Sequence, residues 1–138
     1  MSVALQGKCL CGACRFTAEP EAEAGACHCG MCRQWSGGVF LGVACAALSF
    51  DAGAPVKVYG SSDWGERVFC GECGSNLAWR SKDGKTAIVS IQAFPDPGAF
   101  PVVSEIFVDS KPASYALAGD TKKLTGAEVM AMFAGGGT

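Results

Sequence analysis

Eight of the nine cysteines in this 138-residue chain fall into three short clusters, and no other feature limits its fold as strongly. Cys9-x-Cys11-x-x-Cys14 is followed by Cys27-x-Cys29-x-x-Cys32 and by Cys70-x-x-Cys73. A C-x-x-C turn sets two sulfurs on one side of a tight loop, with peptide N–H groups aimed at them. Thiolates so placed suit tetrahedral zinc, whose Zn–S bonds are about 2.3 Å long. Iron–sulfur ligation is the alternative that four thiolates also allow. An odd number of cysteines cannot all pair within one chain. Residues Met1–Lys8 also lack a basic stretch followed by an apolar block. The expectation is therefore a cytoplasmic protein with metal-bound thiols rather than a disulfide framework. Spacing leaves two partitions open: two closed four-thiolate sites, or one closed site and one three-thiolate site with a free position. Structural zinc sites are closed, whereas catalytic ones keep a place for water or substrate.

Eleven basic and thirteen acidic residues leave a formal charge of −2, with neither the basic excess nor the basic stripe of a phosphate-tracking protein. This argues against nucleic acid as a partner. No apolar run approaches the roughly 18–20 residues of a membrane span, and nothing favours an anionic membrane surface. The length predicts a single domain over residues 1–138, with enough apolar residues for a core.

Short β-branched or aromatic runs bounded by Gly, Pro, Asp or Ser predict strands. They are Val39–Ala44, Val56–Tyr59, Glu66–Phe69, Thr86–Ile91 and Val102–Val108. The Asp83-Gly84 turn signal joins Leu77–Arg80 to Thr86–Ile91 as a hairpin. Ala22–Ala26 and Pro95–Pro101 read as surface loops. The chain is thus mostly antiparallel β, with one well-signalled helix at its C-terminus. There Thr125 and Glu128 form a capping box, Leu124 and Val129 a hydrophobic staple, and Val129, Met132 and Phe133 share a face. The Ala134–Thr138 tail is expected to fray.

Three ordered segments carry a resemblance. Gly7-Lys8-Cys9-Leu10-Cys11-Gly12-Ala13, Cys27-His28-Cys29-Gly30-Met31-Cys32-Arg33 and Phe69-Cys70-Gly71-Glu72-Cys73-Gly74-Ser75-Asn76-Leu77 are similar to the glutathione-dependent formaldehyde-activating enzyme family. That family also includes centromere-protein-V-like zinc domains. The likeness extends through Ile106–Pro112 and so covers nearly the whole chain. It implies an Mss4-like β-tent of antiparallel sheets stapled by two zinc ions. Cys9, Cys11, Cys70 and Cys73 would hold a structural zinc, and Cys27, Cys29 and Cys32 a catalytic one. It further implies a carbon–sulfur lyase acting on S-hydroxymethylglutathione or a related thiol–aldehyde adduct. The partners would be a small thiol such as glutathione, together with formaldehyde. A non-enzymatic zinc interaction module and a zinc-thiolate redox sensor are the rival functions.

The neighbouring residues divide by chemistry. Arg33, directly after the central cluster, is a candidate for a substrate carboxylate, because its planar fork matches that group. His28 lies between two proposed ligands, so its ring is expected to point away from the metal. Cys14 copies the spacing of Cys32 but reads as a small buried hydrophobe, and Cys45 as a core thiol. Gly37-Gly38 forms a turn, or lets the backbone approach the site. Phe69 and Trp79 are assigned to the core, and Asn76 to a local cap on the last knuckle.

Overall fold

The computed structural model describes residues 3–136. The strands are β1 Leu5–Lys8, β2 Arg15–Pro20, β3 Ala24–Cys27, β4 Phe40–Phe50, β5 Val56–Gly60, β6 Gly65–Cys70, β7 Asn76–Ser81, β8 Ala87–Ser90, β9 Val102–Ile106 and β10 Lys122–Leu124. The two α-helices are α1, Gly30–Ser36, and α2, Gly126–Gly136.

The 11-residue β4 organises the sheet. One of its edges pairs first with β3 and further along with β2, while the other pairs with β8. From β8 the ladder continues through β7 and β6 to β5 at the edge, and β1 pairs with β2. The chain is mostly β, as expected, and the Asp83-Gly84 hairpin between β7 and β8 forms. The sheet is mixed rather than wholly antiparallel. β9 runs parallel to both β3 and β10. Parallel neighbours need crossover connections of a dozen or so residues, and the long segment between β9 and β10 supplies one.

The core gathers Phe16, Val43, Val68, Leu77, Val89 and Phe94, all buried. Phe16 meets Phe50 and Phe94 edge to face, a geometry that aligns the positive ring edge with a neighbour's negative face. Cys45 is buried on β4, as expected of a core thiol.

Three local expectations need correction. Residues 22–26 are not a surface loop, because Ala24–Cys27 is β3, paired on both edges with Ala24 and Ala26 buried. Residues 95–101 do run along the surface, through a 3₁₀ turn at Pro97–Ala99, but Phe100 departs from that expectation and enters the core. On α2, Val129 is buried but Met132 is exposed. The helix docks by its first turn, where the Gly126 N–H donates to Asp109 Oδ1 at 2.8 Å and Gly126 abuts the Phe107 ring. The capping box forms as expected: the Thr125 N–H donates to Glu128 Oε1 at 2.8 Å, and the Glu128 N–H to Thr125 Oγ1 at 3.2 Å. α2 continues to Gly136, so residues 134–136 are helical, while the Phe133 side chain and the last two residues lie outside the described residues. Among the described residues, no helix is long and apolar enough to cross a membrane.

Candidate metal centres

The β1–β2 turn carries Cys9 and Cys11, and the β6–β7 turn carries Cys70 and Cys73. Both turns reverse through a glycine in the left-handed region, Gly12 at φ 82° and Gly74 at φ 79°, which side chains with a Cβ rarely adopt. The four Sγ atoms lie within 4.8 Å of one another. Cys9 and Cys11 sulfurs are 3.6 Å apart, and Cys11 and Cys70 sulfurs 3.8 Å apart. A disulfide needs about 2.05 Å, whereas sulfurs around a tetrahedral zinc stand about 3.8 Å apart. All nine cysteines are unbridged. The spacing therefore fits a metal ion.

Peptide N–H groups reach these sulfurs as a knuckle requires. Cys14 N–H donates to Cys9 Sγ at 3.3 Å, Ala13 N–H to Cys11 Sγ at 3.4 Å, and Glu72 N–H to Cys70 Sγ at 3.3 Å. Ser75, which the sequence reading did not single out, joins the two turns. Its hydroxyl accepts from the Leu10 N–H at 3.0 Å and lies 3.2 Å from Cys73 Sγ. That hydroxyl is the main reason the Cys73 thiol is lowered to about 5. Cys14 is wholly buried, outside the sulfur set, and burial first of all pushes its thiol up to about 12. It sits in the core as a small hydrophobe.

A second set forms where β3 meets α1. The Sγ atoms of Cys27, Cys29 and Cys32 lie within 4.8 Å of one another. Cys29 caps α1, its sulfur accepting from the Cys32 N–H at 3.3 Å. Cys32, three residues on, shares that helix face and is buried. Among the described residues no fourth Cys, His, Asp or Glu joins this set, so three sulfurs could hold an ion with one position left over. Close contact with Cys27 drives the Cys29 thiol strongly down, and Cys27 strongly up.

A further neighbour of these sulfurs is Arg67 on β6, which is 3% exposed. Its Nη1 and Nη2 donate to Cys32 Sγ at 3.6 and 3.7 Å, and its Nε donates to Ser61 Oγ at 3.2 Å. Sequence reasoning missed it. Its place shows only in the folded register, where Arg67 pairs across the strands with Tyr59 and Trp79, on a face shared with Phe69. Trp35 of α1 packs on that same face, 5.9 Å from the Tyr59 ring and 5.4 Å from that of Phe69. Phe69 and Trp79 are each only half-buried, so they line this surface rather than the centre of the core.

His28 is wholly buried and turned away from the sulfurs, as expected. Nε2 lies 2.7 Å from Glu105 Oε1, and Nδ1 lies 2.9 Å from the Tyr115 hydroxyl. The Thr121 hydroxyl donates to Glu105 Oε2, and this bond is the main reason the buried carboxyl titrates below its ordinary value. Because the His28 N–H also donates to the Ile106 carbonyl at 3.1 Å, the backbone between Cys27 and Cys29 is anchored to β9.

Arg33 donates from Nε to the His28 carbonyl at 2.8 Å. It borders an open cavity of about 540 Å³ with Gly30, Gln34, Gly37, Gly38, Pro112 and Tyr115. A larger cavity of about 770 Å³ lies against Cys9, Lys8, Arg15 and Asp51, and the central sulfurs line neither of the two. Asn76 corrects its assignment. Its Nδ2 donates to Ser36 Oγ at 2.9 Å, tying the last knuckle to the end of α1 instead of capping the knuckle itself.

Comparison with known proteins adds three findings. A family model described as glutathione-dependent formaldehyde-activating enzyme matches residues 4–110. An uncharacterized lyase of Schizosaccharomyces pombe is 31% identical over 128 residues, covering 91% of this chain and 93% of that protein. The crystal structure of a Rhodobacter sphaeroides protein superposes with a TM-score of 0.58 at 21% identity. That match covers 72% of this chain and the whole of the other, and it shows a shared fold.

Proposed function

The chain belongs to the glutathione-dependent formaldehyde-activating enzyme family, and from that premise we propose that it is a zinc-dependent carbon–sulfur lyase. It makes or breaks the C–S bond of S-hydroxymethylglutathione or a related thiol–aldehyde adduct. In the forward sense sulfur adds to the formaldehyde carbon, and the thiol proton ends on the former carbonyl oxygen. Residues 1–138 form one domain holding two zinc ions. Cys9, Cys11, Cys70 and Cys73 hold the structural ion, and Cys27, Cys29 and Cys32 hold the catalytic one. Unbridged cysteines suit the reducing cytoplasm.

The observation that carries this reading is the three-sulfur set at the β3–α1 junction, beside the four-sulfur set. When bound there, zinc supplies a Lewis-acidic position with room for one soft sulfur from outside the chain. The chain's own residues do the rest. Cys29 and Cys32 present their sulfurs from one turn of α1, and the backbone around His28 is fixed by β9, so the set is held rigid. Arg33 has its Nε committed to the His28 carbonyl, which leaves its terminal nitrogens to receive a substrate carboxylate at the edge of the cavity.

The test is exchange between formaldehyde and S-hydroxymethylglutathione, followed by NMR against metal-free and protein-free backgrounds, because thiols add to formaldehyde unaided. Acceleration by the metal-loaded protein is expected. No acceleration with glutathione or a panel of small thiols would rule out the lyase. Thiol binding without acceleration would instead favour a carrier or sensor.

A further inference from the structure

We propose that Arg67 is a positioning residue of the central site. It orients Cys32 and supplies the positive charge that lets this site take an anionic sulfur ligand in preference to a neutral one. This rests on the reading above, in which the site accepts an outside thiol.

A guanidinium withdrawn from water needs a counter-charge close by. Arg67 is buried, yet the ion pairs among the described residues join His28 with Glu105, Arg80 with Glu66 and Lys123 with Glu105. None involves Arg67. Its Nε is spent on the neutral Ser61 hydroxyl, and both terminal nitrogens converge on one atom, Cys32 Sγ. The counter-ion of Arg67 is therefore the sulfur cluster. Tyr59 and Trp79, its cross-strand neighbours, make the surrounding face aromatic.

The charge balance gives this contact its consequence. Three thiolates around one divalent cation carry a net charge of minus one, and Arg67 cancels it. An incoming thiolate then brings the assembly to minus one rather than minus two. A neutral ligand gains nothing comparable. The four-sulfur set offers the internal contrast, since its sulfurs receive peptide N–H groups and the Ser75 hydroxyl but, among the described residues, no charged donor. Two nitrogens of one planar group meeting a single sulfur also fix the Cys32 side chain in a way a lysine ammonium cannot.

The experiment replaces zinc by cobalt in the full-length parent, Arg67→Lys and Arg67→Met. Visible absorption is recorded while glutathione or imidazole is titrated in. Glutathione reports anionic sulfur binding, and imidazole reports neutral binding at the same position. Relative to imidazole, Arg67→Met should weaken glutathione binding at least tenfold. Arg67→Lys should restore most of that ratio, because it keeps the charge, while its cobalt bands stay shifted because it lacks the fork. Equal weakening of both ligands, or no change in their ratio, would overturn the proposal by making Arg67 a packing residue. Loss of the fold in both variants would overturn it in the same way. A parent whose cobalt spectrum ignores every thiol removes the proposed function as well. A parent that binds thiol, with variants whose ratio is unchanged, removes the role of Arg67 alone.

Discussion

Cys9-x-Cys11-x-x-Cys14 and Cys27-x-Cys29-x-x-Cys32 have the same internal spacing, and the chain uses them differently. After Cys29 the backbone turns helical, so Cys32 returns to the face of its cap and joins the sulfur set. After Cys11 the backbone reverses at Gly12 and runs into β2. Cys14, the residue before that strand, is buried in phase with Phe16, and the set is completed instead by Cys70 and Cys73 from another turn. The third cysteine of the motif is in or out according to the structure that follows it. The difference extends to the surroundings. The four-sulfur set is bound by neutral donors and joins distant strands, whereas the three-sulfur set is local, incomplete and backed by a buried cation.

Four substitutions test this contrast, beginning with the largest effect. Cys9→Ser or Cys73→Ser should sharply lower soluble yield and thermal stability, because metal binding at such a site is itself folding free energy. Variants that purify and melt like the parent would mean the four-sulfur set is not structural. Cys32→Ala should come next, losing lyase activity and one of two zinc ions by elemental analysis, with the fold retained. A Cys32→Ala protein that still carries two ions, or that loses both, would end the division into a local and a joining site. Cys14→Ala should have the smallest effect, keeping both ions and costing about 1–2 kcal/mol in denaturant melts for a small buried group. Loss of a zinc in that variant would erase the distinction between the two motifs.

The legible parts of the sequence were those whose signal is local. β5, β6, β8 and β9 announce themselves by β-branched and aromatic residues, β7 by the Asp83-Gly84 turn that follows it, and the Thr125–Glu128 box by its spacing. β3 does not, because Ala24-Gly25-Ala26-Cys27 has low strand propensity and is made a strand by partners on both sides. Small residues are what that position admits: a side chain at Gly25 would meet Ser104 Oγ at 3.0 Å. α1 is only seven residues long, too short for an apolar period to register. The sulfur sets were legible as motifs, since metal ligation demands fixed residue types. Arg67 and Ser75 were not. Each acts on a sulfur far away in sequence, Arg67 on Cys32 and Ser75 on the turn that carries Leu10, and no spacing rule reaches that far. The parallel pairing of β9 was illegible for the same reason.

The joint between the β1–β2 and β6–β7 turns has a kinetic side. The Cys11 and Cys70 sulfurs meet although they stand 59 positions apart in the chain. Closing a loop of that size costs about 3–4 kcal/mol in chain entropy, and folds built on such non-local contacts form slowly. Each turn, however, is a ready-made pair of sulfurs that can seize an ion before the other arrives. If the four-sulfur set holds an ion as proposed, one ion per molecule would bridge the two halves. A large excess would load each half separately, and closure would then wait for one ion to leave. Refolding rates measured across a zinc titration are therefore expected to pass through an optimum between scarcity and surplus.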